Sequence, residues 1–358
     1  MTTYNVSEWL HPYLVPFFTL SYPTTTPQDP DSFPDSQYYN TGLLDLCVVV
    51  TCIAVMAIAR DVFRLAVFEP FARWKLTRDL HHNLRKSSSK MNGNGHVNGN
   101  ANGNGHVVSE ITPKQRRKMH RSVLRFAEQG WQAMYYPLQW CYGIYVNRNL
   151  PTTLLNPVEL WINYPHVQLA AHVKFYYLTQ TAFYTHQILI LNAEAPRKDH
   201  IQMMTHHIIT VFLMGMSYYY NLTRIGCLIM VLMDLCDIFL PTAKMMRYLN
   251  FPQMACDAMF GIFLVSWFIT RHVLFVIVIK SAIFDMPRLL PFDWDPVRGH
   301  YISKGSYVMF MSCILALELL QIAWFALICR IAWRVITAGE GASDDRSEDE
   351  GDDTGKEE

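Results

Sequence analysis

A series of long apolar runs restricts the fold of this chain more than any other feature. Seven stretches, near 43–59, 126–146, 167–191, 201–220, 224–243, 256–281 and 306–332, read as helices able to cross a bilayer. The first, Leu43 to Ala59, is the shortest at about 17 residues, close to the lower limit for roughly 30 Å of hydrocarbon. Backbone amides in lipid must be satisfied within their own segment, which makes helices the expected elements. Two soluble domains would fit 358 residues. With 51% hydrophobic and 13% aromatic residues gathered in runs, the chain reads instead as spans separated by polar loops. The expected fold is an all-α polytopic membrane protein with about seven transmembrane helices.

The formal net charge of zero conceals a split. Residues 60–118 are strongly basic and the last twenty strongly acidic, and both read as solvated stretches. Residues 1–42 carry Pro12, Pro16, Pro23, Pro27, Pro30 and Pro34, which predicts an irregular segment. A charged start followed by an apolar core is missing there, so no cleavable signal peptide is expected and the helix at 43–59 stays as an anchor. Residues 60–113 begin with Phe, Leu and Trp interleaved with Arg and Lys, suited to a headgroup interface, and end in Asn-Gly repeats that read as a flexible linker. Lys114 to Arg125 opens the main domain, 114–335, as a basic amphipathic helix. Such a run can bind nucleic acid. Its place directly before an apolar-aromatic segment favours a membrane anchor and no nucleic acid. An acidic tail, 336–358, closes the chain.

Loops 60–120, 192–200 and 244–250 and the edge after Cys329 hold most of the Lys and Arg, which puts them in the cytosol and the N-terminus in the lumen. Loop 282–305, with Arg288, Arg298 and Lys304, is the exception. Asn5-Val6-Ser7 is a glycosylation sequon on the lumenal side, whereas the sequon at Asn221 lies too near the membrane for modification. The eight cysteines form no CxxC pair, so neither a disulfide framework nor a metal site is expected.

Ionisable side chains at membrane depth mark sites. His206 and His207 lie within one predicted span, and Asp234 and Asp237 within the next. With a rise of 1.5 Å per residue, His206 lies about 9 Å below its cytosolic entry and Asp237 about 10 Å below its exit. Antiparallel packing would let the two pairs face each other. Asp234 and Asp237 share a helix face, while the adjacent histidines diverge by about 100°, which predicts different tasks for them. Other polar residues at depth are Lys174, Gln180, His186, Arg271, His272, Glu318 and Gln321. Arg271 and Glu318 are expected to pair across the last two spans, with Gln180 and His186 lining a lipid cavity.

Arg197, Lys198, Asp199, His206, His207, Thr210, Ser217, Tyr218, Thr223, Gly226, Asp234, Asp237, Lys244 and Tyr248 stand in a register that resembles the Lag1 motif of ceramide synthases. These enzymes belong to the TRAM-LAG1-CLN8 (TLC) domain family. The likeness runs from about Lys114 to Arg334 and is most specific from Tyr177 to Tyr248. It implies a TLC-domain bundle with a membrane-embedded active-site cavity, multi-pass in the endoplasmic reticulum membrane. The implied reaction joins the chain of a fatty acyl-CoA to the amine of a sphingoid base, sphinganine or phytosphingosine. No cofactor is implied, since acyl-CoA is a substrate. His206, His207, Asp234 and Asp237 map to the family's active-site residues. Arg197, Lys198 and Lys244 at the cytosolic mouth are placed to hold phosphates of coenzyme A, with Tyr218 and Gln180 as further substrate contacts. The R-K-D then H-H pattern, without a homeobox-like insert, is similar to fungal members. Partners implied are membrane lipids, a small single-span accessory subunit and a homo- or hetero-dimer. In animal relatives the loop matching Met286 to Lys304 influences acyl length. Ser347, before acidic residues, fits an acid-directed kinase, as family tails do.

Acylating an amine with a thioester needs a group to take the amine proton and a means of stabilising an oxyanion. Neutral imidazole serves as base, with a neighbouring Asp orienting it, or attacks the thioester itself to give an acyl-imidazole. Three other readings compete. A non-enzymatic TLC protein, translocon-associated, lipid-sensing or a cargo receptor, shares the fold. A specialised paralogue for toxin self-resistance shares the chemistry. A di-iron hydroxylase needs several histidine boxes, and this chain lacks their spacing.

Overall fold

The computed structural model describes residues 10–93, 111–152, 156–193 and 199–338. Most of these are helical. A short α1, Val15–Phe18, precedes α2, Asp45–Phe63. A π turn, Arg64–Phe68, then leads without a break into α3, Glu69–Gly93. This continuity makes the segment read as a headgroup interface a helical extension of α2. Pro70 has no amide to offer a helical bond, and the wider π turn directly before it absorbs the change of register.

The bundle continues with α4, Pro113–Arg148, α5, Ala171–Ala193, α6, His200–Tyr219, and α7, Thr223–Tyr248. α4 starts sharply because Thr112 accepts from the Gln115 amide at 3.3 Å while the Gln115 side chain accepts from the Thr112 amide at 3.0 Å. Next come α8, Gln253–Trp267, a second π turn, Phe268–Leu274, α9, Phe275–Phe284, and a short α10, Met286–Leu289. The last helix is α11, Lys304–Ala338.

Four helical stretches among the described residues are long and apolar enough to cross a membrane: Asp45–Lys86, Thr223–Tyr248, Gln253–Leu289 and Lys304–Thr337. Helices stand at the other three expected positions as well, but α4, α5 and α6 are less apolar. Their polar residues turn inward: on α5, Lys174, Gln180 and His186 are all buried. The outer face of α2 is the opposite case, with Leu46, Val50, Val55, Ile58 and Val62 exposed, as lipid contact requires.

Three two-residue strands, Pro23–Thr24, Tyr38–Tyr39 and Leu169–Ala170, qualify the all-α expectation. They pair antiparallel, with Tyr38 opposite Ala170. Lys174 pins the same region. Its Nζ lies 2.7 Å from the Asp45 carboxylate and donates at 2.7 Å to the carbonyls of Ser21 and Asn40. Arg224 repeats the device with Asp31 and the carbonyls of Glu159 and Ile162. Both cations therefore bind the N-terminal segment and the 157–166 loop to one end of the bundle.

The two helices that carry the paired residues pack on different partners. α7 packs most closely on α4, where Gly143 is required because a Cβ there would collide with Val231 and Tyr176. α6 packs chiefly on α5 and less on α11 and α7. The two helices carrying the histidines and aspartates thus splay after the turn at Asn221, and space opens between them. Asn221 itself is buried and donates to the Gly299 carbonyl at 3.0 Å, which occupies the sequon's side-chain nitrogen.

Candidate functional site

Two cavities meet in that space. The outer one has a volume of about 810 Å³ and is walled by parts of α4, α5, α6, α7, α8 and α11. Its rim is basic. On α4 the series Lys114, Lys118, Arg121, Arg125 falls on one helix face, and Lys244 and Arg330 approach from α7 and α11. The inner cavity, about 110 Å³, runs toward the opposite end of the bundle and is mostly apolar. Five methionines line it: Met214, Met230, Met233, Met286 and Met311. Four residues line both cavities: Tyr184, His206, Asp237 and Arg271.

The histidines differ in setting, as their divergence on the helix predicts. His206 borders both cavities, with Trp324 edge-on to its ring at 5.3 Å. His207 is buried, lines only the outer cavity and stands 6.2 Å from the Tyr184 ring. The expected orientation of imidazole by aspartate is not what the geometry shows. Nδ1 of each histidine lacks a hydrogen-bond partner among the described residues, and both carboxylates are engaged elsewhere.

Asp234 is fully buried, accepting from Gln180 Nε2 at 2.5 Å and from the Tyr184 hydroxyl at 2.7 Å. It lines neither cavity. Asp237, one turn on, reaches both cavities and accepts from Arg271 Nη2 at 2.8 Å. One face of α7 therefore gives two environments, because α5 covers Asp234 while Asp237 meets the second π turn.

Several expectations are corrected here. Arg271 pairs with Asp237, and Glu318 instead binds His272 Nδ1 at 2.9 Å. A π turn carries one residue more than an α-turn, so counting at 3.6 residues misplaces the faces of Arg271 and His272. Gln180 lines neither cavity and serves Asp234. His186 likewise lines neither. Tyr218, expected at the substrate, donates to Asp45 at 2.8 Å and also stands outside both linings. Lys244 is at the rim, as its position at the end of α7 suggests. Arg197, Lys198, Asn5 and Ser347 lie outside the described residues. Sequence reasoning missed Tyr184, Trp324 and the cavity role of Arg271, none of which has a local signature.

This geometry can hold an anionic head at the rim and an apolar tail in the inner cavity, with an imidazole at the junction. Comparison with known proteins bears on which molecule that is. The TLC domain model, of the TRAM-LAG1-CLN8 family, matches residues 125–330. The Sphingosine N-acyltransferase lag1 of Schizosaccharomyces pombe is 33% identical over 97% of this chain and 76% of its own length. Ceramide Synthase FUM18 of Gibberella moniliformis is 36% identical over 65% of this chain and 60% of its own. The human Ceramide synthase 5 is 31% identical over 63% of this chain and 55% of its own.

Proposed function

The chain belongs to the TLC-domain family, and we propose that it is a sphingosine N-acyltransferase, transferring a fatty acyl chain from acyl-CoA to the amine of a sphingoid base. The observation that carries this reading is the position of His206, where a cation-rimmed cavity meets an apolar one. Phosphates of coenzyme A suit the rim, where Lys and Arg act as fixed counter-charges. The acyl chain suits the inner cavity, whose methionine walls can repack around chains of different shape. Relatives named as sphingosine N-acyltransferases and ceramide synthases support the substrate class.

Chemistry follows at the junction. His206 Nε2 attacks the thioester carbonyl carbon, the C–N bond forms and the C–S bond breaks, and the thiolate departs with a proton released by the ring. The sphingoid amine then attacks the acyl-imidazole, the new amide C–N bond forms, and the freed imidazole accepts the amine proton. His207 packs beside Tyr184 and shapes the wall. Asp234 acts through Tyr184, as a positioning residue.

By the distribution of basic loops, the rim faces the cytosol, the chain crosses the endoplasmic reticulum membrane seven times, and the 157–166 loop lies on the lumenal side. The fatty-acyl substrate and the lipid-exposed face of α2 suit that setting.

The test is N-acylation by the full chain in membranes from a host lacking this activity. Wild type is expected to form ceramide, and His206→Ala to lose activity by at least about 10²-fold. An acyl group trapped on a histidine after donor alone supports the order of steps. A wild type that forms no amide overturns the acyltransferase reading and leaves the non-enzymatic TLC protein in its place.

A further inference from the structure

Transfer through His206 builds negative charge on the carbonyl oxygen twice, once in each step, and something must meet it. Four residues border both cavities and can reach the junction. His206 is occupied as the nucleophile. Asp237 is an acceptor. The Tyr184 hydroxyl gives its hydrogen to Asp234. Arg271 alone of the four has donors to spare: Nη2 gives its hydrogens to Asp237 at 2.8 Å and to the Met233 carbonyl at 2.9 Å, and Cys236 is the further side-chain partner. The Arg271 Nε is buried and has no hydrogen-bond partner among the described residues. A buried donor left unpaired is costly and calls for a partner that arrives later.

We propose that Arg271 is a catalytic residue, its guanidinium donating to the carbonyl oxygen of the acyl group as that oxygen becomes an oxyanion. This rests on the acyltransferase reading and adds to it the group that stabilises the transition state. Each part of the surroundings fits. The guanidinium lies over the Trp267 ring, its carbon 4.1 Å from the centroid, which limits its swing. Asp237 holds one nitrogen and leaves the fork aimed by a fixed ion pair, so no reorganisation is needed when charge appears. The π turn Phe268–Leu274 carries it, a local distortion of the kind that recurs at functional sites. The attacking nitrogen bonds to carbon, the carbonyl π pair moves to oxygen, and Arg271 stays protonated throughout. Collapse returns the pair and expels the thiolate in the first step and imidazole in the second.

A structural ion pair with Asp237 is the competing account, and the carbonyl atom itself can separate the two. Acyl donors are prepared as the ordinary thioester and as the dithioester, in which sulfur replaces the carbonyl oxygen and accepts hydrogen bonds poorly. In the wild type the thioester is expected to react at least about 30-fold faster than the dithioester. In Arg271→Gln the thioester rate falls by about 10²–10³-fold, the usual loss for one oxyanion donor, with donor KM changed less than threefold, and the preference for oxygen shrinks toward unity. Where Arg271→Gln does not fold, Arg271→Lys, which keeps the charge beside Asp237 but not the planar fork, is read the same way. An oxygen-to-sulfur ratio equal to that of the wild type overturns the proposal whatever the overall rate. A wild type that transfers no acyl group removes the acyltransferase reading and this one with it, whereas an active wild type with an unchanged ratio in the variant removes Arg271 alone.

Discussion

The outer and inner cavities share one junction and almost nothing else. The outer is wide, ringed by Lys and Arg and walled by six helices; the inner is narrow and apolar, with Trp161 and Met286 in its lining. The contrast follows from packing. α6 leans on α5 and α7 on α4, so the helices diverge toward the rim and converge toward the turn at Asn221. A bundle held tightly at one end and loosely at the other can admit a charged head without losing the seal around a tail. The N-terminal segment, fastened by Lys174 and Arg224, reinforces the tight end.

That difference sets apart residues that hold the shape from residues that meet the ligand, and Asp234 gives the largest test. Removing it leaves the Gln180 amide and the Tyr184 hydroxyl buried without their acceptor. Asp234→Ala is expected to cost about 4 kcal/mol of stability, read as a lower unfolding midpoint in detergent. Asp237→Ala, at the wetter position, should cost less stability and more activity. Equal stability losses in the two variants would erase the distinction between them.

The end of the bundle held by Arg224 carries a pH signature. His166, in the loop before α5, is buried, and burial with the nearby Arg224 charge pushes its imidazole down to about 4 from 6.5. Its folded pKa is depressed, so the unfolded chain binds the extra proton between these values. Stability is then complete above about pH 6.5 and falls as pH drops toward 4. The loss is about 3 kcal/mol at the acid end. His166→Gln should flatten this dependence in a thermal series across pH 7 to 4, and an unchanged slope would move the acid sensitivity to another group.

The inner cavity predicts a shift in preference and no loss of chemistry. Met311→Trp narrows the channel beyond His206. Excluding about three methylenes at roughly 0.8 kcal/mol each gives about 2 kcal/mol against long donors, seen as a relative gain for shorter chains in competition assays. A uniform fall for all lengths would mean that the chain lies elsewhere.

How much of this was written in the chain follows the same division. Helix positions were legible because apolar runs are local. The two histidines and Asp237 were legible as polar residues at depth on neighbouring spans. Gln180 and Tyr184 as holders of Asp234 were not, since a contact 54 or 50 residues away in sequence leaves no periodic trace. Neither was the exchange of partners among Arg271, His272 and Glu318, because the π turn Phe268–Leu274 breaks the helical period there. The start of 60–113 was legible as a headgroup-interface segment, but its packing on α4, with Ala72 and Leu76 buried against Val123 and Phe126, was not.

The smallest effect belongs to the rim, and its size is the reason to measure it. Lys118 and Arg121 lie on one face of α4 at the mouth of the outer cavity, where water screens each charge. Exchanging Lys118 for Glu changes the local charge by two without touching the junction. Donor KM is then expected to rise about tenfold at low salt, about 1.4 kcal/mol, with kcat unchanged. The same variant should show a smaller rise at high ionic strength, because exposed charges are screened there. A truncated thioester lacking the nucleotide phosphates gives the control: its KM should ignore the substitution at every salt concentration. If both donors respond alike, the rim is a headgroup anchor and the phosphates dock elsewhere; if only the phosphorylated donor responds, the basic end of the molecule is where the thioester's head is read, and the contrast between the two cavities is one of substrate halves.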